Sequence, residues 1–190
     1  MSLTTVAVLV VLYLVAAYAV TLYNALVRLK HGVSKAWSNI DVLLNQRHEE
    51  LPKLVETCKQ YMQHERTTLE QVIAARNAVA SASQKGDMQA LGQAETGLRA
   101  GLGQLFALAE NYPQLKANES FQHLQQRISG LENGIADRRE LYNEAVNLNN
   151  VRIEQFPDVL IARFFAFKAA ELLQFSDAEK ADVDLKQLFS

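Results

Sequence analysis

A chain of 190 residues is long enough for one domain with its own core, and its lone cysteine, Cys58, excludes an internal disulfide framework and suits a reducing compartment. The 19 basic and 21 acidic residues leave a net charge of -2. With neither a basic run nor a basic-aromatic patch, that balance argues against nucleic acid as a partner.

The first element is apolar. No charged side chain occurs from Met1 to Val27, and Leu3 to Leu22 is dominated by Val, Leu, Ala and Tyr. That is about the length that crosses a bilayer core as a helix. A cleaved secretory signal is the competing reading, with Ala17-Tyr18-Ala19 as the cleavage site. The length of the run and the lack of a basic residue before it favour an anchor. Arg28, Lys30 and Lys35 follow the span, whereas only the amino terminus precedes it, so the positive-inside bias places residue 28 onward in the cytoplasm and the N-terminus outside. Tyr23 is well placed at a membrane boundary, while Tyr13 and Tyr18 are better suited to facing helix partners.

Beyond the anchor the rhythm is helical. Trp37, Ile40, Leu44, Leu51, Leu54, Cys58, Tyr61, Val72 and Val79 recur at three-four spacing, and Arg47 and Glu65 take two places on the same seam. This is one long helix or two joined, and Pro52, which lacks a backbone donor, predicts a kink or short break near residues 48 to 51. Ser81 to Asp87 reads as a polar turn with Asp87 as the next N-cap. The following helix places Met88, Leu91, Leu98, Leu102 and Leu105 on its seam, and Gly92, Gly97, Gly101 and Gly103 predict close packing against a neighbour.

Tyr112-Pro113 ends that helix, and Asn118 caps another that runs to Phe156, before Pro157. Its seam is Phe121, Leu124, Ile128, Leu131, Ile135, Arg138, Tyr142, Ala145, Asn149, Arg152 and Phe156. Asn149 thus lies on the apolar side, where a paired amide fixes register between helices. Arg139, Asn143, Asn147, Asn150 and Glu154 form a separate polar stripe. The simplest reading of Asn143, Asn147 and Asn150 is a solvated face, most of all for Asn147, while Tyr142 and Asn143 are expected to be held against a neighbouring helix. Pro157 to Phe175 reads as a helix that is apolar nearly all round, with Leu160, Phe164 and Phe167 on one side and Ile161, Phe165 and Leu172 beside them. Arg163 and Lys168 are offset by Asp158 and Glu171, which disfavours a cationic membrane-surface helix and favours contact with a second copy of the chain. A short amphipathic tail, capped by Ser176 with Glu179 three residues on, is expected to extend that surface through Val183, Leu185 and Leu188.

Several short motifs, taken in order, resemble the LemA family of bacterial membrane-anchored helical proteins. They are Tyr23-Asn24 and Leu26-Val27, Ala36-Trp37, Ile40-Asp41-Val42, Gln46-Arg47, Leu51-Pro52, Leu54-Val55, Tyr61 with Glu65, and Ala75-Arg76. The stretch Glu110 to Ala117 follows, then Glu132 with Arg138-Arg139, Tyr142-Asn143, Val146, Asn150, Ile153 and Phe156-Pro157. The resemblance runs from the anchor to about Phe167. One departure is that Asn149 stands where the family pattern has a second tyrosine. The resemblance implies an all-α protein of the bacterial inner membrane: a transmembrane anchor at 1–27, a cytoplasmic bundle of long antiparallel helices over 28–175, and the tail at 176–190. It implies no particular reaction. It also marks Arg47, Glu65, Glu110, Arg138 and Asn143 as motif positions, read here with Tyr142 and Asn149 as a polar seam that orders the bundle.

Catalytic patterns are missing. A di-metal bundle site needs Glu-x-x-His, and no glutamate is followed by histidine at that spacing. His31, His48, His64 and His123 are scattered, and His48-Glu49-Glu50 lacks the second histidine of a zinc peptidase helix. Cys58 on an apolar seam reads as a core residue, and the glycines near 97 to 103 follow no strand, which excludes a phosphate loop. The expectation is a non-enzymatic scaffold without a cofactor, in contact with membrane lipid and self-assembling. The alternative is a signalling or quality-control adaptor that docks a membrane-protein partner such as a peptidase.

Overall fold

A computed structural model describes residues 2–175 of the chain. It is all-α, and among the described residues there are six helices: α1 (Leu3–Lys59), α2 (Arg66–Lys85), α3 (Met88–Ala109), α4 (Pro113–Lys116), α5 (Glu119–Glu154) and α6 (Asp158–Phe164). The tail from Ser176, with Glu179, Val183, Leu185 and Leu188, lies outside the described residues. Backbone contacts group the chain into two compact units. Met1–Ser38 and Glu140–Leu172 form the first; Asn39–Arg139 and residues 173–175 form the second.

The first unit holds the apolar start of α1. Its most apolar 18-residue window has a mean hydropathy of 2.4, and none of it is buried against the rest of the protein. An unbroken, uncovered apolar cylinder of this length suits a bilayer and is costly in water. Burial begins at Leu22 and Leu26, and the Trp37 ring meets Tyr142 of α5 edge-on, 5.8 Å between centroids.

In the second unit Ile40, Leu51, Leu54 and Cys58 of α1 join Leu69 and Val72 of α2, Leu91, Leu98 and Leu105 of α3, and Phe121, Ile128 and Ile135 of α5 in a buried core. Each buried aliphatic side chain contributes roughly 1.5–3 kcal/mol. No break falls at Pro52: α1 runs through it to Lys59, and the interruption comes at residues 60–65. The reason is a contact from another helix. Proline cannot donate to the carbonyl of His48, four residues earlier, and Arg76 Nε of α2 donates to that oxygen instead at 2.9 Å. His48 itself is held below its usual pKa by burial and by the nearby Arg76 guanidinium.

The expected turn at 81 to 87 is shorter than its composition indicates. Helix α2 continues to Lys85, Gly86 takes the left-handed conformation at φ 66°, and Asp87 Oδ1 accepts the Ala90 N–H at 2.8 Å as the N-cap of α3. Asn118 caps α5 in the same way, accepting from Phe121 N–H at 3.0 Å. Of the four glycines in α3, Gly92 meets the closest neighbour: a Cβ there would lie 1.8 Å from the backbone oxygen of Gln174. Gly101 faces a Val72 methyl at 3.6 Å, while Gly97 and Gly103 face open space.

The largest departure from expectation is at the C-terminal side. Pro157 to Phe175 is not one helix: α6 ends at Phe164, a turn follows, and residues 167–175 form a non-helical strap. Strap residues Leu173 and Phe175 are buried.

Candidate functional site

Among the described residues, each unit contains a buried or half-buried polar assembly. In the second, Arg47 replaces an aliphatic residue on the buried seam of α1 and is 1% exposed. Its guanidinium forks between Glu95 of α3 and Glu132 of α5, donating Nη2 to the former and Nη1 to the latter. Arg99 Nε reaches the other Glu132 oxygen at 3.5 Å. Burial pushes the Glu95 carboxyl upward, against the pull of Arg47, while the two carboxylates hold the arginine proton more firmly than usual. A planar fork satisfied on both sides cross-links three helices at one register. In the same unit, Arg139 lies over the Phe175 ring at 3.9 Å and Arg99 at 5.6 Å, so the strap end is fastened by cation-π contacts.

In the first unit, asparagines of α5 engage the backbone of the strap. Asn150 Oδ1 accepts the Ala170 N–H and Asn150 Nδ2 donates to the Ala170 carbonyl, both at 2.9 Å. One side-chain amide thus reproduces the reciprocal pairing of a neighbouring strand. Asn149 is buried and its Nδ2 reaches Lys168 O at 3.5 Å, while Tyr142 Oη donates to Glu171 O at 2.9 Å. Burial raises the Tyr142 phenol above its usual pKa, which keeps it a donor. Asn143 is half-buried and engaged; Asn147 is exposed. The solvated reading of Asn150 is therefore corrected.

Other expected seam residues lie elsewhere. Glu110 and Arg138 are exposed rather than buried between helices, and Glu110 pairs with Lys116 at the surface. Glu110 is the C-cap of α3, past its last turn, whereas Arg138 lies in the middle of α5, where a 100° periodicity read along one long helix drifts from the true contact face. Glu65 is half-buried and accepts from Tyr112 Oη at 3.2 Å. The expected assembly residues separate: Leu160, Phe164, Phe165 and Leu172 are exposed, whereas Ile161 and Phe167 are half-buried. They do not form one helical face, because α6 stops at Phe164.

Sequence reasoning missed Glu95. Its signal was a gap in a pattern: the α3 seam runs Leu91, Leu98, Leu102, Leu105, and Glu95 fills the place between the first two. Among the described residues no cluster of three His, Cys, Asp or Glu side chains is arranged to hold a metal. Cys58 is buried and its thiol is pushed up to about 12, far from a thiolate nucleophile.

The sequence model of the LemA family matches residues 36–186, which contain both polar assemblies. The chain belongs to the LemA family. Relatives of this LemA-family chain include two proteins of Paramagnetospirillum magneticum, magnetosome protein MamQ 1 and magnetosome protein MamQ 2. Each is 34% identical over 104 residues, covering 55% of this chain and 38% of the relative. Magnetosome protein MamQ of Magnetospirillum gryphiswaldense is 29% identical over 101 residues, covering 53% of this chain and 37% of its own. The match therefore spans well under half the length of these curated relatives. With its uncovered apolar helix, this LemA-family chain is a membrane-associated helical protein.

Proposed function

We propose that the protein is a non-catalytic scaffold, anchored in the bacterial inner membrane by the first turns of α1, which self-assembles through apolar side chains of α6. One observation carries this reading: Phe164 is 81% and Leu160 60% exposed, four residues apart and so on one face of α6. Large apolar side chains at that exposure favour a covering partner, and a second copy supplies one without further components. Ala16, Ala17 and Ala19 in the span allow close helix contact in the bilayer. A non-catalytic role is supported by the polar core. Arg47, Glu95 and Glu132 are consumed in mutual pairing, and the asparagines are consumed in holding backbone.

The test is particle mass by light scattering in mild detergents. Wild type is expected as an oligomer, and the Leu160→Ser/Phe164→Ser variant as a smaller particle with unchanged helical content. Phe165 is left intact in this test because its ring packs on Tyr23. A wild type that is monomeric in every detergent would instead favour the adaptor reading. A groove of about 860 Å³ lined by Val55, Met62, Leu69 and Ile73 then becomes the place to look for a docked protein.

A further inference from the structure

A cavity of about 640 Å³ lies within the first unit, just beyond the uncharged part of α1. Its wall includes Tyr23, Lys30 and His31 from α1, Asn149 from α5, and Phe165 and Lys168 from the segment after α6. No aspartate or glutamate lines it. Among the described residues no ion pair engages Lys30 or Lys168. Asp158, the acidic residue opening α6, is itself buried and neutralised by Arg152 Nε at 2.7 Å. The charge balance that counted Asp158 against Arg163 and Lys168 along one helix therefore does not apply to this face.

The cavity owes its form to a sharp reversal. Ala166 is held at φ 54°, a left-handed conformation that costs a non-glycine residue on the order of 1 kcal/mol. The reversal places Phe165 and Phe167 on the same Tyr23 ring, at 4.7 and 5.8 Å, and puts Lys168 at the cavity wall. Depth in the membrane follows from helix geometry. With Leu3 to Leu22 spanning the hydrocarbon core, Lys30 lies about 12 Å farther along the axis, within reach of the headgroup layer for a long flexible stem. An aromatic wall at the interface and two unpaired ammonium groups beside it match the two halves of an anionic lipid: glycerol and upper acyl chain against Tyr23 and Phe165, phosphate against Lys30 and Lys168.

We infer that this cavity binds the phosphate-bearing headgroup of an anionic phospholipid from the adjoining leaflet. The inference rests on the span lying in the bilayer and is independent of self-assembly. The test places full-length protein in nanodiscs of phosphatidylcholine containing a minor fraction of phosphatidylglycerol, with retained lipid counted by native mass spectrometry. Wild type should retain phosphatidylglycerol preferentially. Each lysine near an anionic surface is worth roughly fivefold in binding, so Lys30→Gln/Lys168→Gln should lower the preference roughly 25-fold. A control of equal charge change, Lys53→Gln/Lys59→Gln in the second unit, should leave it within about twofold. Absence of preference in the wild type, or equal loss in both variants, would overturn the site. So would full displacement of the lipid by glycerol 3-phosphate at millimolar concentration, which would assign the cavity to a soluble phosphate compound. Protein that still pellets with membranes but retains no anionic lipid refutes the headgroup site while leaving the anchor intact.

Discussion

At the scale of single residues, the same side-chain type has opposite consequences depending on what backbone lies beside it. Asn147 is exposed, whereas three positions on Asn150 pairs with both backbone groups of Ala170. Replacing Asn150 by alanine leaves an N–H and a carbonyl without partners, and is expected to cost about 1–3 kcal/mol and to speed exchange of the Ala170 amide hydrogen. Asn147→Ala should change neither the melting curve nor that exchange rate. Equal behaviour of the two variants would return Asn150 to the solvated face. Arg47 offers a second contrast. Arg47→Met leaves buried Glu95 without its guanidinium partner and Glu132 with only Arg99 at 3.5 Å, so a loss of about 3–5 kcal/mol is expected. The variant should also respond to pH in a defined direction. Burial already raises Glu95 in the folded state, and loss of Arg47 raises it further. A carboxyl whose folded pKa exceeds its unfolded value stabilises below the unfolded pKa and loses that contribution as pH rises through the folded one. The deficit relative to wild type should therefore shrink as pH is lowered from about 8 towards 5, and a deficit that grows on acidification would refute this account.

At the scale of elements, the continuity of α1 through Pro52 depends on a residue from another helix. Arg76 supplies the hydrogen bond that proline withholds from His48 O, so two short motifs of the chain, Leu51-Pro52 and Ala75-Arg76, meet at one carbonyl. Arg76→Met should destabilise by about 1–3 kcal/mol in the natural background. In a Pro52→Ala background the new N–H satisfies the His48 carbonyl, and the same substitution should cost measurably less. Chemical denaturation of the four proteins forms a double-mutant cycle, and strict additivity would show that the Arg76 contact does not compensate for the proline. The strap is the other element whose state depends on its neighbours. Its backbone has no helix of its own, so Tyr142, Asn149 and Asn150 provide the donors and acceptors, and Gly92 leaves room for the Gln174 carbonyl.

At the scale of the whole molecule, function depends on which side of the membrane the helical units occupy. The uncharged span followed by Arg28, Lys30 and Lys35 predicts residues 28 to 190 inside the cell. Protease added to right-side-out vesicles should therefore leave the protein intact, and opening the vesicles should expose it. Digestion from the outside would reverse the topology and move the Lys30 and Lys168 cavity to the other leaflet.

What the sequence determined by itself is local and periodic. The uncharged run of Leu3 to Leu22, the caps at Asp87 and Asn118, and the aliphatic seams of α1, α3 and α5 were all legible, because 3.6-residue periodicity and capping chemistry act over a few neighbouring residues. Only the tertiary structure decided where Arg47 sends its two hydrogen bonds, since Glu95 and Glu132 lie 48 and 85 residues away in the chain. It also decided that Phe167 to Phe175 is non-helical. A run of apolar residues satisfies a buried helix and a buried strap equally well. The choice depends on whether side chains from elsewhere meet the backbone's polar groups, and here Asn150 and Tyr142 of α5 do so.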